Sequence, residues 1–291
     1  MQQTFVRRHY RTVFLSDLHL GLRASRADLL LDFLGGMDCG RIVLVGDIVD
    51  GWRLRKSWYW DAYHDEVIRL LLRKAREGVE ILYIPGNHDE MFRDWVGLEV
   101  AGIHLVQQAE HVTADGRRLL VMHGDEFDSV VRYWPLLAHL GDWAYDAALL
   151  LNRWFNTARR RMGYPYWSLS QWLKRRVKEA VKAIDRFEES LAHEALRGGY
   201  DGVICGHIHH AEMRDIGGVT YMNTGDWVES CTALVEHPDG RFELLDWSRR
   251  SPPVPRPVAP AAGTPVPAFP VPAFPIAGPP GATGRGTGGL R

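Results

Sequence analysis

A chain of 291 residues with 46% hydrophobic side chains can fill one large domain, or one domain with an insertion. Its formal net charge of -1 gives no basic signature, so no nucleic-acid partner is expected. Three scattered cysteines, Cys39, Cys205 and Cys231, argue against a disulfide framework and for a reducing compartment.

In chain order, residues 1–12 are basic without an apolar signal core, and no window reaches the roughly eighteen apolar residues of a membrane span. A cytoplasmic location is therefore expected. Residues 12–15, 42–45 and 80–84 are short apolar runs, separated by helical periodicity over 26–34 and 61–76. That alternation predicts a buried sheet with crossover helices. Residues 103–122 carry short strands around an Asp115-Gly116 turn. Residues 127–199 are helical in character and rich in Trp and Tyr. Residues 202–205 form a further apolar run, and short strands with turns at Gly217-Gly218 and Asp239-Gly240 continue to Trp247. The expected organisation is an α/β domain (1–126 and 200–250) interrupted by a helical insertion or lid (127–199). The Pro-, Ala- and Gly-rich stretch 251–291 is expected to be a disordered tail.

Five apolar runs end in polar clusters: Ser16-Asp17-Leu18-His19, Gly46-Asp47-Ile48-Val49-Asp50, Gly86-Asn87-His88-Asp89, His123-Gly124-Asp125 and Gly206-His207-Ile208-His209. Ligands of open α/β sheets bind beyond the carboxyl ends of strands, so these clusters should share one edge. Carboxylate, amide and imidazole donors suit Mn²⁺, Fe or Zn²⁺ better than Ca²⁺. If each Asp-x-His or His-x-His pair is extended, its two side chains share a face and clamp one side of a cluster. Asp47 is the candidate bridging carboxylate between two ions. A single histidine such as His19 or His123 is more often structural than a ligand, and only the joint set of blocks overturns that. His9, His64, His104, His111, His139, His193, His210 and His237 lack such blocks and are expected to be structural or solvated.

These blocks, in this order over about residues 12–247, resemble the signature of the calcineurin-like metallophosphoesterase superfamily. The resemblance implies a four-layer αββα sandwich and a dinuclear metal-dependent phosphoester hydrolase. It implies one metal on Asp17, His19, Asp47 and His209, and another on Asp47, Asn87, His123 and His207. It also implies a catalytic set of His88, acting on the phosphoryl group or leaving group, with Asp50 and Asp89 orienting ligands. Within the superfamily, the helical insertion and the segment Asn223-Thr224-Gly225-Asp226-Trp227-Val228-Glu229 resemble UDP-2,3-diacylglucosamine diphosphatases of lipid A synthesis. That branch cleaves its substrate to lipid X (2,3-diacylglucosamine 1-phosphate) and UMP, uses Mn²⁺ and sits at the inner face of the inner membrane. The implied partner is a phosphorylated small molecule or glycolipid.

Between Asn152 and Glu188 there are ten basic and three acidic residues, beside several aromatics. Basic and aromatic neighbours fit an anionic lipid, a membrane surface or a phosphorylated ligand. A helical hairpin with its own aromatic core is the plainer alternative. The resemblance implies Asn87, His88, Arg175, Arg176, Lys178 and Lys182 as substrate contacts. One departure is His88, where the best-known diphosphatase branch has Arg. It leaves open a paralogous branch with another phosphoester substrate. A non-catalytic membrane-surface adaptor is the rival from another class.

Overall fold

A computed structural model describes residues 8–127, 162 and 169–249, and the side chains of residues 169–177 and 180 lie outside that description. The expected tail (251–291) and most of the expected insertion (128–161 and 163–168) also lie outside the described residues.

The strands are β1 (Arg8–Leu15), β2 (Met37–Val45), β3 (Glu80–Ile84), β4 (Glu99–Val100), β5 (Ile103–Leu105), β6 (Ala109–Val112), β7 (Arg118–Val121), β8 (Gly202–Cys205), β9 (Glu212–Ile216), β10 (Val219–Asn223), β11 (Thr232–Glu236) and β12 (Phe242–Asp246). The helices are α1 (Ala27–Gly35), α2 (Gly51–Lys56), α3 (Ala62–Arg76) and α4 (Leu169–Arg197). One sheet has the order β12-β11-β1-β2-β3-β5-β4, with β1, β2, β3 and β5 parallel. The other has the order β6-β7-β8-β10-β9, parallel at its centre.

Side-chain alternation explains why the apolar runs are continuous. In β2, Val43 and Val45 pack between the sheets with Phe14, Leu119, Val121 and Ile204. Ile42 and Leu44 point the other way, onto Leu30 and Phe33 of α1 and Val67 and Leu71 of α3. The carboxyl half of β2 therefore buries both faces, so neither face is polar there. On the second sheet, Val203, Cys205 and Tyr221 pack outward against Phe187, Leu191 and Ala195 of α4. The result is the expected αββα sandwich.

Residues 80–84 and 202–205 coincide with β3 and β8, and Asp61 caps α3 by accepting from the backbone of Tyr63 at 3.0 Å and His64 at 3.1 Å. Two points differ from the sequence reading. The six-residue α2 is not foreseen, because it is too short to show a period. An insertion ending at residue 199 overlaps a core layer: Ala183, Phe187, Leu191, Ala192 and Ala195 are buried against the second sheet. Aromatic and aliphatic residues at helical spacing look alike in a lid and in a packed layer.

Candidate metal centre

The loops after β1, β2, β3, β7 and β8 converge at the carboxyl ends of their strands, which run parallel within each sheet. Asp17, His19 and His209 bring donor atoms within 4.8 Å of one another, and so do Asp47, His123 and His207. His209 Nε2 lies 3.1 Å from Asp17 Oδ1. The Nε2 atoms of His19 and His209 stand 3.3 Å apart. His123 Nε2 is 3.5 Å from Asp47 Oδ1 and 3.4 Å from Asn87 Oδ1. His19 Nε2 is 4.0 Å from Asp47 Oδ2, so Asp47 stands between the two groups. All seven residues expected as ligands are therefore brought together.

The extended Asp-x-His clamp is not what joins them. Asp17, His19, Asp47, His207 and His209 have φ of 52°, 46°, 56°, 72° and 54°. Left-handed backbone is uncommon for residues with a Cβ, and it persists only where surroundings over-determine it. Here the loops curl over glycines. A Cβ on Gly46 would lie 2.2 Å from His123 Nδ1, and one on Gly86 would lie 2.3 Å from Asp47 Oδ1. Any larger residue would occupy the space of a donor group.

Hydrogen bonds fix the donor orientations. His123 Nδ1 donates to the Val45 carbonyl at 2.8 Å, which turns Nε2 inward. Asp89 is wholly buried and accepts from the backbone of Ile48 at 2.8 Å and Gly86 at 2.6 Å, and from the Tyr83 hydroxyl. Its carboxylate braces two site loops. Asp50 accepts from Arg53 N at 2.9 Å as the cap of α2, and its Oδ1 lies 3.1 Å from His88 Nδ1. The His88 ring stacks 4.3 Å from that of Trp52 and keeps about a quarter of its side chain exposed, at 26%. Trp52 was not among the expected site residues, and its place directly after the Asp50 block was the only signal.

The charges are coupled. Burial opposes ionisation of Asp17 and Asp47, but His209 beside the first and His123 beside the second hold both carboxyls below their usual range. Burial likewise disfavours cationic His123 and His209, yet Asp47 raises the first to about 10 and Asp17 raises the second to about 9. Burial is also outweighed at Asp50, where His19 and His88 keep the carboxyl low, and at His88, which Asp50 and Asp47 raise.

Lys178 and Lys182 are exposed on α4. The side chains of Arg175 and Arg176 lie outside the described residues. Of the histidines set aside, His111 is buried against Glu236 at 2.8 Å, His210 pairs with Glu212 at 3.1 Å and His237 with Glu243 at 2.9 Å.

Carboxylate, amide and imidazole donors at this spacing fit a pair of divalent cations. An αββα sandwich carrying such a cluster at its strand ends defines a metal-dependent phosphoesterase. The model of the calcineurin-like phosphoesterase family matches residues 10–211, and the chain belongs to that family. It is similar to the UDP-2,3-diacylglucosamine hydrolase of Xanthomonas campestris pv. campestris, with 27% identity over 79% of this chain and 96% of the relative. The hydrolase of the same name from Neisseria meningitidis serogroup B is 26% identical over 74% of this chain and 88% of the relative. That of Photorhabdus laumondii is 24% identical over 70% and 84%.

Proposed function

We propose that the chain hydrolyses the pyrophosphate of UDP-2,3-diacylglucosamine to 2,3-diacylglucosamine 1-phosphate and UMP, with two Mn²⁺ ions as cofactor. What supports the chemistry is the convergence of five strand-end loops on one cluster of carboxylates and imidazoles. What supports the substrate is similarity over most of the length of relatives that carry that substrate's name.

In this reading Asp17, His19, Asp47 and His209 hold one cation, and Asp47, Asn87, His123 and His207 hold the other. Bound there, the cations supply Lewis acidity toward a phosphoryl oxygen and lower the pKa of a water. His88 provides the proton at the rim. Its Nδ1 is engaged by Asp50, its ring is held by Trp52, and its Nε2 is left for a phosphoryl or leaving oxygen. Asn87 and His88 thus meet the phosphate, and Arg175, Arg176, Lys178 and Lys182 are the proposed further substrate contacts. The protein works in the cytoplasm, against the inner face of the inner membrane.

A substrate panel with added Mn²⁺ tests this. UDP-2,3-diacylglucosamine should turn over in preference to UDP-glucose and to a generic nitrophenyl diester. Turnover of the generic ester alone would point to another phosphoester substrate, as the His88 departure allows. No turnover of any of them would sink the enzyme reading.

A further inference from the structure

The segment from Asn223 to Trp227 supplies none of the proposed ligands, yet it runs beneath two site loops. Asn223 Nδ2 donates to the Gly206 carbonyl at 2.8 Å, and its Oδ1 accepts from Gly225 N at 3.0 Å. Thr224 N donates to the Cys205 carbonyl at 3.0 Å, and Trp227 N to the Asp17 carbonyl at 3.1 Å. The segment therefore ties the end of β8, which leads to His207 and His209, to the loop that carries Asp17.

Ser16 completes the tie. Its hydroxyl donates to Asp17 Oδ2 and lies 2.5 Å from Thr224 Oγ1 and 2.9 Å from the Gly225 carbonyl. The same Asp17 Oδ2 accepts from His207 N at 3.0 Å. Ser16, Asp17, Asn223 and Thr224 are all buried, so no solvent competes for these bonds. Asp17 consequently has two unlike oxygens. Oδ2 is held by a hydroxyl and a backbone amide, and Oδ1 alone faces His209 and His19, at 3.1 and 3.9 Å.

We propose that Ser16 and Thr224 are positioning residues that make Asp17 present a single oxygen beside His19 and His209, and so set the affinity of that one cation position. Asn223 supports the neighbouring loop in the same frame. Removing a group that orients a metal ligand typically weakens metal affinity by about 10- to 100-fold. The inference rests on the proposed two-cation reading.

The test is Mn²⁺ titration calorimetry on the full chain, with thermal unfolding of the metal-free protein measured in parallel. Ser16→Ala and Thr224→Val should weaken one of two Mn²⁺ positions by about 10- to 100-fold and leave the other unchanged. Thr224→Ser keeps the hydroxyl and should bind like the wild type. Two unchanged positions in Ser16→Ala and Thr224→Val would overturn the inference alone. So would equal weakening of both positions alongside a large drop in Tm, because that is loss of fold. A wild-type protein that takes up no Mn²⁺ would overturn the two-cation reading and this inference with it.

Discussion

Binding of Mn²⁺ should expel protons, and the site geometry sets how many. In the metal-free protein His123, with its pKa raised to about 10 by Asp47, and His209, raised to about 9 by Asp17, are both cationic at neutral pH. The neighbouring carboxyls Asp17 and Asp47 are held low and are already ionised. A cation binds only neutral imidazole, so filling both positions should release about two protons. Each proton makes affinity rise about tenfold per pH unit, or about 1.4 kcal/mol. The product of the two binding constants should therefore rise about 100-fold between about pH 7 and 8, and level off above the raised pKa values. Calorimetric titration in buffers of different ionisation enthalpy counts the protons directly. His209→Ala should drop the count to about one. Two Mn²⁺ ions bound with no protons released would refute the charge pairing of His123 with Asp47 and of His209 with Asp17.

Three other outcomes are expected. Asp47→Asn should lose bound metal and turnover while keeping the fold, measured as Mn²⁺ content per chain and Tm. His88→Ala should retain two Mn²⁺ and lower kcat by about 10²- to 10⁴-fold, since its proposed action is on a proton in the transition state. An unchanged kcat would remove that role. Far from the site, Glu236 is buried between His111 at 2.8 Å, Ala114 N at 2.7 Å and Arg11 at 2.7 Å. Burial opposes its ionisation, and these three partners outweigh it, bringing the pKa from 4.5 to about 2. A depressed carboxyl stabilises above its unfolded pKa and loses that stability as pH falls through the folded value, here amounting to about 3 kcal/mol. Glu236→Gln should be less stable by about that much at neutral pH in urea unfolding, with the gap to wild type closing toward about pH 2. A gap independent of pH would contradict the pairing.

Much of the site was legible because each donor cluster follows a run that buries both faces. Val43 and Val45 face one core while Ile42 and Leu44 face the other, so the run is apolar throughout and its end is sharp. What the sequence hid is local backbone. Asp17 and His19 adopt left-handed φ without being glycine, and nothing in their identity announces it. Their pairing on one side of a cluster was foreseen from strand alternation, and the structure achieves it by loop curvature instead. The boundary of the insertion was also hidden. Phe187 meets the space over Gly124, where a Cβ would lie 2.9 Å from its ring, and no local pattern links residues so far apart in sequence. The Glu236 and His111 pair likewise spans 125 positions.

The carboxylates also explain why fold and site cannot be perturbed separately by simple truncation. Asp17 Oδ2 accepts from His207 N at 3.0 Å and Asp47 Oδ1 from His88 N at 2.8 Å, each amide belonging to a different loop from its acceptor. One oxygen of each carboxylate thus staples two loops together, and the other points toward His209 or His19. Truncation to Ala would remove both functions and leave a buried backbone N–H without a partner, which by itself costs about 1–3 kcal/mol. Replacement of Asp47 by Asn keeps an oxygen for His88 N and substitutes an NH₂ that cannot ligate a cation. Loss of metal at nearly unchanged Tm in that variant would therefore separate the part the carboxylate plays toward a cation from its part in holding the fold. A large fall in Tm would instead mean that the charge of Asp47, set against His123, holds the five loops together before any cation arrives.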